Sequence, residues 1–215
     1  MTSRTDIVDE LIRQGAIAVV RMEHSEKLIR VVEALAEGGL TAIEITLTTP
    51  RAMELISEIS SRFGDSILLG VGSVLRAEDA RTAIDMGARY VVSPNFKADI
   101  IDTAHARNVP ALAGAFTPTE IQTATDAGAD IVKVFPAGVV GMGFFKAVLA
   151  PMPLSRLMPT GGVTLENTGD WIRAGACAVG IGSALLDLEA IATGAFQTLT
   201  ERAVTLLRSI EEARD

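Results

Sequence analysis

The chain has 215 residues, of which 48% are hydrophobic and 21% charged, a balance that fits one globular core and excludes a disordered chain. Its formal net charge of −8 argues against nucleic acid and anionic membranes as partners, and no apolar run is long enough to span a bilayer. A single cysteine, Cys177, excludes an intrachain disulfide and predicts a cytoplasmic protein.

In chain order, apolar strand patterns alternate with helical patterns along the whole sequence. The predicted strands cover residues 16–21, 42–47, 67–72, 90–93, 110–114, 131–135, 156–160 and 178–182. The predicted helices cover residues 6–14, 25–37, 51–63, 77–86, 98–107, 118–127, 143–149, 165–173 and 190–213. This alternation predicts an α/β fold, a (β/α)8 TIM barrel with an extra N-terminal helix, in a single domain over residues 1–215. A doubly wound sheet is the alternative, but the Gly-x-Gly-x-x-Gly turn expected after its first strand is missing.

A glycine recurs between a helical pattern and the strand that follows it. It is found at Gly38-Gly39, Gly87, Gly128 and Gly175. Glycine just past a helix end is the usual left-handed cap, so we expect positive φ angles in these turns. The turns recur at about twice the length of a βα unit, which supports the repeated architecture.

Two charged residues lie inside apolar strands, where a charge is costly unless it has a partner or a chemical role. Lys133 stands in the sixth predicted strand and Glu44 in the second. Period-two alternation places Lys133 on one face with Phe135, and Glu44 on one face with Thr46, and we predict that both faces line the barrel interior. An unprotonated buried amine is a carbonyl nucleophile, and a neighbouring carboxyl can transfer protons. We therefore predict Lys133 and Glu44 as catalytic residues; an ion pair that only neutralises itself is the alternative.

Glycine-rich turns follow the last two predicted strands. In barrels of this kind the chemistry lies at the C-terminal ends of the strands, and phosphate sites recur at these two loops. Backbone N–H groups of such turns can approach a phosphate closely. We predict phosphate binding by Gly161, Gly162, Gly182 and Ser183, with plain turns as the alternative.

Other polar or small residues stand at or near the predicted ends of the remaining strands. The predicted substrate-binding residues are Arg21, Thr46, Ser73, Pro94, Phe135 and Thr160. An arginine at a strand end can hold a carboxylate or phosphate, although a solvated charge is the alternative for Arg21, and a helix cap is the alternative for Ser73. The two histidines, His24 and His105, lie outside the strands, so no metal site is predicted.

Six short segments, in order, make the chain resemble the 2-keto-3-deoxy-6-phosphogluconate / 4-hydroxy-2-oxoglutarate aldolases, class I enzymes on a (β/α)8 barrel. These segments cover residues 43–47, 70–73, 92–95, 132–137, 159–162 and 180–183. The resemblance implies that Lys133 forms an imine with a keto acid, that Glu44 is its general acid and base, and that Gly161, Gly162 and Ser183 bind the phosphate. It implies cleavage to pyruvate and glyceraldehyde 3-phosphate, use of 4-hydroxy-2-oxoglutarate as a second substrate, a homotrimer, and no cofactor or metal.

The chain departs from the pattern of this family at two positions. Thr48 stands where many gluconate-type members have an arginine, and Arg21 resembles an arginine of the branch that acts on the 6-phosphogalactonate epimer. Ser73 replaces a common threonine and keeps the hydroxyl. Two other functions stay open: a phosphosugar isomerase or epimerase that uses Glu44 as base, and a non-catalytic ligand-binding barrel.

Overall fold

The computed structural model describes residues 3–215, in which eight parallel strands alternate with helices. The strands are β1 Ala16–Val20, β2 Ala42–Thr46, β3 Leu68–Gly72, β4 Tyr90–Val92, β5 Ala111–Ala115, β6 Ile131–Val134, β7 Leu157–Pro159 and β8 Val179–Ile181. The helices are α1 Arg4–Gln14, α2 Leu28–Glu37, α3 Ala52–Phe63, α4 Ala77–Asp85, α5 Ala98–His105, α6 Pro118–Asp126, α7 Ala137–Leu149, α8 Thr168–Arg173, α9 Leu188–Thr193 and α10 Gln197–Arg214. No helix within this range is both long and apolar enough to cross a membrane.

The strands form one sheet in the order β7-β6-β5-β4-β3-β2-β1-β8, and β8 pairs with β1 in parallel. A parallel bridge between Thr160 and Gly180 joins the two ends of the sheet. The sheet is therefore a nearly closed barrel with the helices around it, and the predicted (β/α)8 fold is confirmed. In the strand order β2 and β6 lie four positions apart, so they face each other across the barrel.

Alternating side chains of the strands separate two apolar layers. Outward side chains such as Ile43, Ile45 and Val132 pack with the helices in the larger cluster. Inward side chains such as Ala42 and Ile131 belong to a second cluster that fills the barrel. The predicted orientation of the second and sixth strands is thus confirmed, because the residues two positions before Glu44 and Lys133 both face inward.

The N-terminal helix α1 closes one end of the barrel. Its buried side chains Ile7, Val8 and Leu11 belong to the inner cluster, so the helix contributes directly to the core of the barrel. Burial of one such side chain stabilises the fold by about 1.5–3 kcal/mol. The helix begins with a capping box, in which Ser3 and Asp6 exchange side-chain and backbone hydrogen bonds of 2.8 and 3.1 Å.

The recurring glycines adopt the conformation that their position in the sequence predicts. Gly39, Gly87, Gly128 and Gly175 have φ angles of +87°, +109°, +89° and +102°. Each lies between the end of a helix and the start of the next strand, in a backbone region that other residues rarely adopt. These turns fix where each strand starts and so help to place the functional residues at the opposite ends.

Several predicted helices have different bounds in the structure. The single helix predicted over 190–213 is two helices, α9 and α10, because Gly194 has a φ of +81° and caps α9. Helix α7 begins at Ala137 instead of residue 143, with a non-helical break at Gly141. Helices α2 and α8 each begin three residues later than predicted. The remaining predicted elements agree with the structure to within two residues.

Candidate active site

Lys133 and Glu44 meet across the interior of the barrel. Lys133 on β6 is 5% exposed and Glu44 on β2 is fully buried. The two strands face each other across the barrel, yet Nζ of Lys133 and Oε1 of Glu44 are only 4.0 Å apart. Each side chain is long enough to reach the barrel axis, where an amine and a carboxyl share one small buried volume. This distance suits ionic attraction and is longer than a direct hydrogen bond.

A glycine on the neighbouring strand makes room for the Glu44 carboxyl. A β-carbon on Gly72 would lie 1.8 Å from Oε1 of Glu44, so no other residue fits there without moving the carboxyl. Burial raises the pKa of Glu44 above its ordinary value of 4.5, whereas the charges of Lys133 and Arg21 oppose this shift. A raised pKa keeps a protonated fraction available closer to neutral pH, which a proton-transfer group requires.

Two neighbours of Lys133 are the partly exposed Phe135 and Gly114, which packs closely against the backbone of Pro94. Nζ of Lys133 lies 5.5 Å from the centroid of the Phe135 ring, and Phe135 is 40% exposed. On β5, Gly114 pairs in register with Lys133, and a β-carbon on Gly114 would lie 2.1 Å from the carbonyl carbon of Pro94. The structure therefore brings Phe135 and Pro94 to the catalytic end of β6.

Thr160 directs a buried hydroxyl into the same end of the barrel. Its Oγ1 is buried without a hydrogen-bond partner among residues 3–215, and it would lie 2.3 Å from a β-carbon on Gly180. Thr160 stands one residue after β7, the strand that pairs with β6. An unpaired buried hydroxyl is unfavourable unless it gains a partner, so this group is well placed to bind a polar ligand atom.

The predicted phosphate residues form two adjacent turns at this end. Gly161 and Gly162 follow β7 with φ angles of +80° and +87°, and a β-carbon on Gly162 would lie 2.6 Å from Cα of Gly138. Gly182 and the exposed Ser183 follow β8, which the Thr160–Gly180 bridge joins to β7. The structure thus brings the four predicted residues onto neighbouring strands, where small side chains leave backbone groups accessible.

Arg21, Thr46 and Ser73 lie at the ends of the first three strands, in different environments. Arg21 is exposed at the end of β1. Its positive charge partly opposes the rise in the pKa of Glu44, so the guanidinium acts electrostatically on the buried carboxyl. The Thr46 hydroxyl is buried, and it donates a hydrogen bond of 3.4 Å to the carbonyl of Val20. Ser73 is half-buried with a φ of +59°, an uncommon conformation for a residue other than glycine.

Tyr90 was not among the residues predicted from the sequence. It is fully buried at the start of β4 and belongs to the inner cluster. Its hydroxyl is buried and makes no hydrogen bond with the described residues. Period-two alternation with Val92 points it inward, but a single tyrosine at the start of an apolar strand is more typical of a packing residue.

Comparisons with known proteins point to one family. A family model described as KDPG and KHG aldolase matches residues 7–202. The 2-dehydro-3-deoxy-phosphogluconate aldolase of Treponema pallidum is 35% identical over 198 residues, which cover 90% of this chain and 92% of that protein. The 2-dehydro-3-deoxy-6-phosphogalactonate aldolase of Escherichia coli is 35% identical over 170 residues, which cover 79% of this chain and 83% of that protein.

A solved structure extends the agreement to the fold. It is the KDPG aldolase from Legionella pneumophila with pyruvate captured as a covalent carbinolamine intermediate, with a TM-score of 0.86 and 25% identity. The match covers 95% of this chain and 98% of that one. Nothing in these comparisons favours an isomerase, an epimerase or a non-catalytic barrel, and they support a carbon–carbon lyase. This chain belongs to the KDPG and KHG aldolase family.

Proposed function

We propose that this aldolase cleaves a 2-keto-3-deoxy-6-phospho sugar acid, the gluconate or its galactonate epimer, to pyruvate and glyceraldehyde 3-phosphate through an imine on Lys133. The observation that carries the proposal is the buried Lys133 amine, 4.0 Å from the Glu44 carboxyl at the catalytic end of the barrel. The names of the relatives from Treponema pallidum and Escherichia coli support the two epimers. The shorter acid 4-hydroxy-2-oxoglutarate, cleaved to pyruvate and glyoxylate, is proposed as a second substrate, since a relative is named KHG/KDPG aldolase.

The reaction begins with attack of the Lys133 amine on the C2 carbonyl of the keto acid. Glu44 donates a proton to the carbinolamine hydroxyl, which leaves as water, and the iminium forms. The ionised Glu44 then takes the proton of the C4 hydroxyl, and the C3–C4 bond breaks. The electron pair of this bond moves into the iminium to give an enamine. The aldehyde leaves, Glu44 returns a proton to C3, and water hydrolyses the imine to release pyruvate and the free amine.

The two ends of the substrate would be held by different parts of the site. We assign the phosphate to the backbone of Gly161, Gly162 and Gly182 and to the hydroxyl of Ser183, because their turns lie side by side. The unpaired hydroxyl of Thr160 lies closer to β6, and we assign it to the keto acid end. We assign Phe135, Pro94 and Ser73 to the part of the substrate between these two ends, and Thr46 to holding the segment before Arg21 through its hydrogen bond to Val20.

Borohydride reduction in the presence of pyruvate tests the proposal. The reduced imine leaves one covalent adduct, so we expect the intact mass to rise by one reduced pyruvate and the modified peptide to contain Lys133. The chain has three other lysines, Lys27, Lys97 and Lys146, all exposed, which serve as internal controls for non-specific modification. Absence of the adduct, or an adduct on one of those three, would overturn the covalent mechanism.

Arg21 is proposed to bind the carboxylate or the C4 region of the substrate in place of the arginine that Thr48 replaces. We predict that Arg21→Ala raises KM about 10- to 100-fold with a smaller loss of kcat, the scale of a lost hydrogen bond to a charged group. Steady-state kinetics on both epimers measures this effect and shows which epimer the enzyme prefers. Arg76→Ala is the matched control, since Arg76 is exposed and pairs with Asp79. Unchanged KM values for both epimers would remove Arg21 from the site.

We further propose one catalytic domain over residues 1–215, a cytoplasmic location and a homotrimer. The single domain is supported by the continuous sheet and by a family match that spans residues 7–202. The lone cysteine fits a reducing compartment. For the homotrimer, native mass spectrometry should give three times the chain mass of 22.6 kDa, and a monomer at assay concentration would contradict it.

A further inference from the structure

Three neighbouring strands place Tyr90 close to Glu44 inside the barrel. In the register of the sheet, Glu44 on β2 pairs with Gly70 on β3, and Gly70 pairs with Tyr90 on β4. The three positions therefore lie side by side in one layer. Gly70 has no side chain, so the two polar side chains on either side of it face a shared space.

The shapes of the two side chains show how they use this space. A β-carbon on Gly70 would lie 2.2 Å from Cε2 and 2.3 Å from Cζ of Tyr90, so the ring lies over Gly70 and extends from β4 toward β2. The Glu44 carboxyl leans over Gly72, two residues further along β3. The two inward glycines of β3 thus accommodate one polar side chain each, and the charge of Glu44 acts on the phenol of Tyr90.

The polar side-chain atoms of Tyr90 and Glu44 have no hydrogen-bond partners among the described residues. The Tyr90 hydroxyl and both carboxyl oxygens of Glu44 are buried and make no hydrogen bond within residues 3–215. The apolar cluster that contains Tyr90 includes Leu68, Val92 and Leu112, whose side chains cannot accept a hydrogen bond. Buried polar groups in proteins are nearly always paired, so two unpaired groups in one layer, separated only by the side-chain-free position of Gly70, are candidates to pair with each other.

The charges in the site determine which of the two groups donates. Burial and the charge of Glu44 raise the pKa of Tyr90 well above its ordinary value of 10.0, so the phenol stays neutral and can donate its proton to a hydrogen bond. The other charged groups that act on Glu44 are Lys133 from β6 and Arg21 from the end of β1. A phenol donor would therefore join two cations in stabilising the ionised carboxylate.

We propose that Tyr90 is a positioning residue for Glu44, and that its hydroxyl donates a hydrogen bond to the Glu44 carboxylate whenever that carboxylate is ionised, in the free enzyme as well as during turnover. The proposal rests on the acid–base role proposed for Glu44 above. A rotation of the carboxyl from Gly72 toward Gly70 brings it to the phenol, and rotation back returns it toward Lys133. Tyr90 thereby holds the base in its ionised form beneath the substrate and lets it return to the reacting atoms.

The pH dependence of Tyr90→Phe tests this role, because phenylalanine keeps the ring over Gly70 and removes only the donor. Without the donor the ionised carboxylate is less stable, so the pKa of Glu44 rises. We expect the acid limb of kcat/KM to move to higher pH by about one unit, with borohydride trapping of pyruvate retained. Leu112→Met, another inner-layer change, is the matched control and should leave the acid limb in place. An unchanged acid limb in Tyr90→Phe would overturn the proposal.

A second measurement does not depend on activity. Tyr90 is the only tyrosine of the chain, so tyrosine labelled with ¹³C at Cζ gives a single labelled resonance in NMR. We expect this resonance to follow the titration of Glu44 in the wild-type protein and to lose that pH dependence in Glu44→Gln. A resonance that is constant with pH, or that titrates equally in both proteins, refutes the pairing. Loss of pyruvate trapping in the wild type would instead refute the imine mechanism and leave the pairing intact.

Discussion

Lys133→Met is expected to abolish turnover, with a loss in kcat of about 10⁴-fold or more, the scale that follows removal of a covalent nucleophile. Methionine is close to lysine in length and fills the same space on β6, but it has no amine to attack a carbonyl. No imine can form, so the electrons of the broken C3–C4 bond have no acceptor. Coupled assay of pyruvate release measures the effect, and borohydride trapping with pyruvate should give no adduct.

The folded state should survive this substitution. Lys133 opposes the rise in the pKa of Glu44, so its removal makes the buried carboxyl more readily protonated. A neutral carboxyl beside methionine avoids the cost of an isolated buried charge, which otherwise reaches about 3–5 kcal/mol when one partner of a buried pair is removed. Thermal melting should therefore show a cooperative transition at neutral pH. A melt without a transition would show that the lysine is needed for folding.

Lys146→Met is the matched control for this experiment. Lys146 lies on α7 and is exposed, so its replacement should leave both turnover and the pyruvate adduct unchanged. Turnover of Lys133→Met within about tenfold of the wild type would exclude a covalent role and return the amine to a purely electrostatic one.

The pair of Lys133 and Glu44, which we propose to be catalytic, is the part of the site that the sequence predicts most directly. Lys133 and Glu44 interrupt apolar strands, and strand alternation alone decides that both enter the barrel. Their distance of 4.0 Å could not be predicted, because it depends on which strands face each other after closure and on the room that Gly72 leaves. The sequence thus identifies the groups, and the closed sheet brings them together.

Other features depend on single backbone conformations that periodicity does not encode. The positive φ of Ser73 follows directly after β3, and the break at Gly141 lies inside α7. Gly194 divides the last helical segment although apolar residues continue on both sides of it. Tyr90 could not be predicted for a different reason. Its proposed role depends on the register that places it in the same layer as Glu44, with only Gly70 between them, and register becomes visible only when the strands are paired.

The raised pKa of Glu44 has a consequence for stability as well as for catalysis. A carboxyl whose pKa is higher in the folded state than its ordinary value of 4.5 favours folding in its protonated form. This contribution is fully present below the ordinary value and is lost as the pH rises through the folded-state pKa. The site therefore keeps a group that costs stability near neutral pH, as is common for functional residues.

Glu44→Gln should remove both the stability cost of ionising this buried carboxyl and the proton transfer that the carboxyl performs. Glutamine has nearly the same shape over Gly72 but cannot exchange a proton, so we expect kcat to fall about 10²- to 10⁴-fold and imine formation to slow. Relative to wild type, the free energy of unfolding of the variant should increase as the pH rises above 4.5. Rapid-quench borohydride trapping and urea titrations at several pH values measure the two effects. Thr46→Ser, a neighbouring inward change on β2, is the control and should slow the reaction far less. A near-normal rate in Glu44→Gln would assign the proton transfers to another group.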